Sequence, residues 1–81
     1  MKIKDNFVIN SNDDYTITIF DLNEEVFYKF NEISTIIYNN IEKDVNEIIK
    51  IISESFIVDG LEIYNEISLE KISILNIFFG E

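Results

Sequence analysis

The sequence predicts one small α+β domain of winged helix-turn-helix-like order, three antiparallel strands followed by three helices (βββααα). Three observations predict it. Up to Phe30 the chain alternates short β-branched and aromatic runs with polar clusters. From Asn31 onward the apolar residues recur every three or four positions. The length, 81 residues, leaves room for a single domain spanning 1–81.

The first strand is Phe7-Val8-Ile9, closed by the polar cluster Asn10-Ser11-Asn12-Asp13-Asp14. Such clusters turn the chain because Asn, Asp and Ser side chains hydrogen-bond their own backbone. Tyr15-Thr16-Ile17-Thr18-Ile19-Phe20 is the second strand and Val26-Phe27-Tyr28-Lys29-Phe30 the third, with Asp21-Leu22-Asn23-Glu24-Glu25 as the turn between them. Short polar turns between consecutive strands make an antiparallel meander. Asn31 caps a helix whose apolar positions are Ile33, Ile36, Ile37, Tyr38 and Ile41. Asp44 with Glu47 three residues on opens a second helix carrying Ile48, Ile49, Ile51, Ile52 and Phe56. Asp59 caps a third, weakened at its start by Gly60.

The third helix carries two apolar stripes. One is Leu61, Tyr64, Ser68, Ile72 and Leu75; the other is Ile63, Ile67, Lys71 and Ile74. A surface helix of a small domain needs one buried stripe. Two stripes suggest one for the core and one for something else; the isoleucine stripe reads as core, as a dimer seam or as the wall of a binding groove, and the last of these is carried forward. Ile77-Phe78-Phe79 is expected to pack back as a short extended tail.

Composition narrows the function. Hydrophobic residues make up 47% of the chain, enough for a core. The net charge is -10, from sixteen acids and six cations that are all lysine, which argues against a phosphate-binding surface and favours a neutral or basic partner. Without cysteine there is no disulfide or thiolate, and without histidine the commonest general base and metal ligand are missing. The carboxylate pairs Asp13-Asp14 and Glu24-Glu25 lie in polar turns, where solvation keeps them ordinary. They lack the alternating ligand spacing of a calcium loop. No Gly-rich phosphate loop is present. The chain is not expected to be an enzyme, and no cofactor or metal is implied. A polar start and the lack of a ~20-residue apolar run point to a cytoplasmic protein away from membranes.

Several motifs invite a family comparison. Phe30-Asn31-Glu32-Ile33-Ser34-Thr35-Ile36-Ile37-Tyr38 resembles the "L-N-E-x-[GS]-x-x-I-W" stretch of PqqD-like proteins. Asp44-Val45-Asn46-Glu47-Ile48-Ile49, with Phe56-Ile57-Val58-Asp59 beyond it, resembles the family's "T-x-E-E-I … [YF]-x-V-D". Phe27-Tyr28 matches the paired aromatics of its third strand. Leu75-Asn76-Ile77-Phe78 is similar to its closing "L-x-x-x-G-[LI]-[LI]", with Asn76 where glycine is usual. The resemblance covers nearly the whole chain. The family comprises the RiPP recognition elements, small winged-helix domains that bind the leader segment of a ribosomally made precursor peptide. It implies that a leader peptide adds as a strand beside the third strand and lies against the third helix. It further implies that the chain presents that peptide to a modifying enzyme such as a radical-SAM enzyme, a cyclodehydratase or a lasso-type leader peptidase.

The residues expected to carry this are Val26, Phe27, Tyr28 and Lys29 on the receiving edge, facing Ile63, Ile67, Lys71 and Ile74 with Glu66 and Glu70 beside them. An edge strand has unpaired N–H and C=O groups that a guest strand can satisfy. The isoleucines would take apolar peptide side chains, and the acids would steer a lysine- or arginine-bearing peptide. On this reading Ile67→Glu lowers peptide affinity and spares folding. Rivals remain on sequence grounds: a winged-helix nucleic-acid binder, which the excess of acid disfavours, and a helper subunit that binds only its enzyme and no peptide. An acidic interaction or inhibitor protein, mimicking nucleic acid or capping an enzyme, fits the charge. An open edge with a spare apolar stripe can equally pair two copies of the chain.

Overall fold

The computed structural model describes residues 1–80. Its elements are β1 (Lys2–Ile3), β2 (Phe7–Ser11), β3 (Ile17–Asp21), β4 (Val26–Lys29), α1 (Glu32–Asn39), α2 (Val45–Ser53), α3 (Gly60–Phe78) and β5 (Phe79–Gly80). The sheet order is β2-β3-β4, antiparallel throughout, so the expected meander and the three helices after it are present. The central strand β3 shows why: Ile17, Ile19 and Asp21 are buried and the residues between them less so, the period of a pleated strand with one face on a core.

The two hairpin turns are held by side chains as well as backbone. Tyr15 N–H donates to the Asn12 carbonyl at 3.1 Å, and Asn12 N–H donates to the Thr16 carbonyl at 2.8 Å. Hydrogen bonds from the Thr16 hydroxyl and amide hold the Asp14 carboxyl below its usual pKa. At the second turn the Asp21 carboxylate accepts from the Asn6 amide at 3.0 Å and from Asn23 N–H at 2.9 Å. The Asn6 bond leads the lowering of its pKa. Tyr15 (φ 67) and Glu25 (φ 56) close these turns in the left-handed region that glycine or asparagine usually fills.

Each helix begins at the residue expected. Asn31 and Ser34 form a reciprocal capping box, each side-chain oxygen accepting the other's backbone N–H at 2.8 Å. The Asp44 carboxylate accepts from Glu47 N–H at 3.0 Å, and that of Asp59 from Leu61 N–H at 3.2 Å. Thr35 on α1 accepts from Ile17 N–H at 3.2 Å, stitching the helices to the sheet. Ile19, Ile37, Ile48, Ile52 and Ile67 form the fully buried centre.

Three expectations change. The second helix stops at Ser53, so Phe56 packs against the core from a loop. The third helix runs on through Ile77 and Phe78, and only Phe79–Gly80 is extended. Phe78 is 3% exposed, and burying its ring keeps the last turn helical. The two stripes of α3 are also exchanged. Ile67 (1% exposed) and Ile74 (5%) belong to the core, with Ile63 packed beside them. Leu61, Tyr64 and Ile72 are the exposed set. The tail β5 pairs with β1, Lys2 opposite Gly80 and Ile3 opposite Phe79. Among the described residues no helix is long and apolar enough to cross a membrane.

Candidate functional site

The candidate site is the outer edge of β4 and the space between it and α3. Phe30 N–H donates to the Ile17 carbonyl at 3.0 Å, which makes Ile17 and Phe30 a hydrogen-bonded pair. In an antiparallel ladder such pairs alternate with unbonded ones. The register Thr18↔Lys29, Ile19↔Tyr28, Phe20↔Phe27 then leaves the N–H and C=O of Phe27 and Lys29 pointing away from β3. No strand of the described chain pairs with that edge, since the C-terminal β5 is joined to β1.

A cavity of about 450 Å³ runs along this edge. Phe27, Tyr28 and Lys29 form its strand side, while Glu70, Ser73 and Ile77 form its helix side. Phe30, Ile74 and Phe78 supply apolar lining between them, and Ser34 borders it from α1. The lining is pre-shaped by aromatic packing. The Tyr28 ring stands edge-on to Phe78 at 5.1 Å, and Phe30 lies 5.5 Å from the same ring. Phe27 sits on the opposite face of the strand, tilted against Phe20 at 4.7 Å, and is 71% exposed. Ile77 is 44% exposed. Desolvation pushes the Glu70 carboxyl above its usual pKa, and Glu66 one turn earlier adds to this.

The structure brings together Phe27, Tyr28, Lys29, Glu70 and Ile74 of the residues read from sequence. Glu66 lies one turn from Glu70 on the same flank, outside the cavity lining. Val26 is half-exposed at the start of β4 and also stays outside. Ile63 and Ile67 pack into the core, so the expected isoleucine wall is corrected to Glu70, Ser73 and Ile77. Lys71 points toward α1 and α2, its ammonium donating to the Lys43 carbonyl. The correction has a geometric cause. At 100° per residue, Glu66, Glu70, Ser73 and Ile77 fall on one flank, while Ile63, Ile67, Ile74 and Phe78 fall on the next. Extending the Glu66–Glu70 row by whole turns reaches Ile77, but only if the helix continues past Leu75. Among the described residues no cluster of His, Cys, Asp or Glu could hold a metal ion.

No model of a known protein family matches the sequence, and no curated protein is detectably similar to it. Solved structures do share its fold. TbiB1 in complex with the TbiA(beta) leader peptide matches with a TM-score of 0.72 at 21% identity, over 100% of this chain and 98% of that one. A lasso peptide synthetase B1 complexed with the leader peptide matches with a TM-score of 0.72 at 10% identity, over 93% of this chain and 89% of that one.

Proposed function

We propose that this chain is a RiPP recognition element that binds the leader segment of a precursor peptide and presents it to a peptide-modifying or leader-cleaving enzyme, with no catalysis of its own. The observation that carries the reading is the unpaired edge of β4 beside a pre-shaped cavity against α3. Two proteins of the same fold, both complexed with leader peptides, support it.

The arrangement suits an extended peptide. Phe27 and Lys29 offer two N–H and two C=O groups, and a guest strand satisfies them without moving the sheet. A main-chain bond of this kind contributes about 0.5–1.5 kcal/mol net. Alternate peptide side chains then point into the cavity, where an apolar one meets Phe78, Ile74 and Ile77. Burying a large apolar side chain contributes roughly 1.5–3 kcal/mol. A few such terms, reduced by the cost of ordering the peptide, reach the ~8 kcal/mol of a micromolar complex. Glu70 on the wall and Glu66 beside it favour a peptide that carries lysine or arginine opposite them.

Calorimetry with the leader segments of precursor peptides from the same genome tests the proposal. Micromolar one-to-one binding, weakened by a proline that removes a guest N–H opposite β4, is the expected result. Binding unaffected by proline at every position of the leader would exclude strand addition.

A further inference from the structure

The groove along β4 does not end at Lys29. Lys29 and Phe30 also line a second cavity of about 390 Å³, together with Asp14, Glu32, Ile33 and Phe56. A third, again about 390 Å³, shares Asp14, Glu32 and Phe56 with the second and is bordered by Tyr15. The shared residues set the three side by side as one row of concavities, a trough in outline. It turns the corner from the sheet edge to the start of α1 and passes between the Asn12–Tyr15 turn and the loop after α2.

Its chemistry is uneven in a useful way. Phe30, Ile33 and Phe56 give apolar walls, while Asp14 and Glu32 place two carboxylates there against the single cation of Lys29. Tyr15 adds an aromatic ring at the lip. It is 93% exposed, and it holds a left-handed backbone (φ 67) that a bulky residue rarely adopts. Burial does not explain this residue, and the turn itself would be better served by glycine.

Resting on the peptide-binding reading above, we propose that the recognised segment is longer than the edge it pairs with, and that residues flanking its strand-paired part enter this trough and set a lysine or arginine against Asp14, Glu32 and the ring of Tyr15. The methylene stem of such a side chain lies on Phe56 and Ile33. Its charged head meets the carboxylates and the aromatic face. Four peptide residues cover β4, which is itself four residues long, and at roughly 3.3 Å per residue two or three more reach around the corner.

The test uses the full chain and the leader segment found to bind it by calorimetry, followed amide by amide in a titration. The leader is shortened from each end until shifts at Phe27 and Lys29 begin to shrink, which defines the strand-paired part. The longer peptide is expected to bind about tenfold more tightly than this part and to move residues 14–15, 32–33 and 55–56 as well. Glu32→Lys is expected to remove most of that tenfold gain and leave the short peptide within twofold. Tyr15→Gly is expected to weaken only the long peptide while holding or raising the melting temperature. If the long peptide moves residues 26–29 but neither variant affects it, the trough proposal is overturned and strand addition stands. If residues 26–29 do not respond to any length, both readings are overturned together.

Discussion

Consider Ile77→Ala. The residue lies on the α3 wall of the cavity and is 44% exposed, so roughly two-fifths of its side chain remains to be covered by a ligand. Full burial of an isoleucine contributes about 1.5–3 kcal/mol, so covering that fraction contributes about 0.7–1.3 kcal/mol. At 1.4 kcal/mol per tenfold, the leader should bind about three- to ninefold more weakly to the variant. Alanine is the best helix former, which offsets part of the packing lost in the last turn of α3. The melting temperature should therefore move little. Ile74→Ala, one turn earlier and 5% exposed, provides the contrast. Removing a buried isoleucine costs about 2–5 kcal/mol, much of what a domain this size has. Calorimetry for affinity and urea unfolding for stability separate the two. If Ile77→Ala leaves leader affinity unchanged, the groove does not lie against this wall. If it unfolds the protein as Ile74→Ala does, Ile77 belongs to the core.

Other outcomes follow from the same geometry. Ile67→Glu places a carboxylate at a position that is 1% exposed and should abolish cooperative unfolding, contrary to the sequence-based expectation that it spares the fold; circular dichroism decides it. A cation opposite Glu70 requires the ionised carboxylate. Affinity for a lysine-bearing leader should therefore fall as pH drops through the raised pKa of Glu70, and Glu70→Gln should flatten that slope in calorimetry run from neutral pH downward. Glu25→Gly should stabilise in urea, since the left-handed φ of 56 costs a non-glycine residue about 1–2 kcal/mol and the extra chain entropy of glycine, about 0.5–1 kcal/mol, offsets only part of that. Asp21 has its pKa lowered in the fold, so its contribution is present above the ordinary carboxylate range and is lost as pH falls through the folded value. Asn6→Ala should shrink the acid-dependent part of stability below about pH 4.

Most of this architecture is written locally. Asn31, Asp44 and Asp59 start helices because each offers a side-chain oxygen to a backbone N–H two or three residues on, a relation that needs no tertiary information. Ile17 and Ile19 alternate as a half-buried strand must. The Phe27-Tyr28-Lys29 edge is equally local in origin, since it follows from β4 being the last strand of a meander. Which stripe of α3 faces inward is not local. Leu61, Tyr64 and Ile72 make a stripe that could be buried as Ile63, Ile67 and Ile74 are, and the placement of α1 and α2 selects between them. The end of α3 misleads for a related reason. Ile77-Phe78-Phe79 has strand-like residues, yet the core pocket that takes Phe78 continues the helix and turns Ile77 into the groove. The β1–β5 pairing joins two-residue segments from opposite ends of the chain, too short to leave a periodic signal.

Strand addition at β4 turns on two backbone amides. Hydrogen exchange at Phe27 and Lys29, measured with and without saturating leader peptide, reports on the vacant edge most directly. Their protection should be low in the free chain and rise sharply on binding, while the amides of Ile19 and Tyr28, already within the ladder, change little. Unchanged exchange at both edge positions in a saturated complex would contradict the account, because the peptide would then be bound somewhere other than the border of β4.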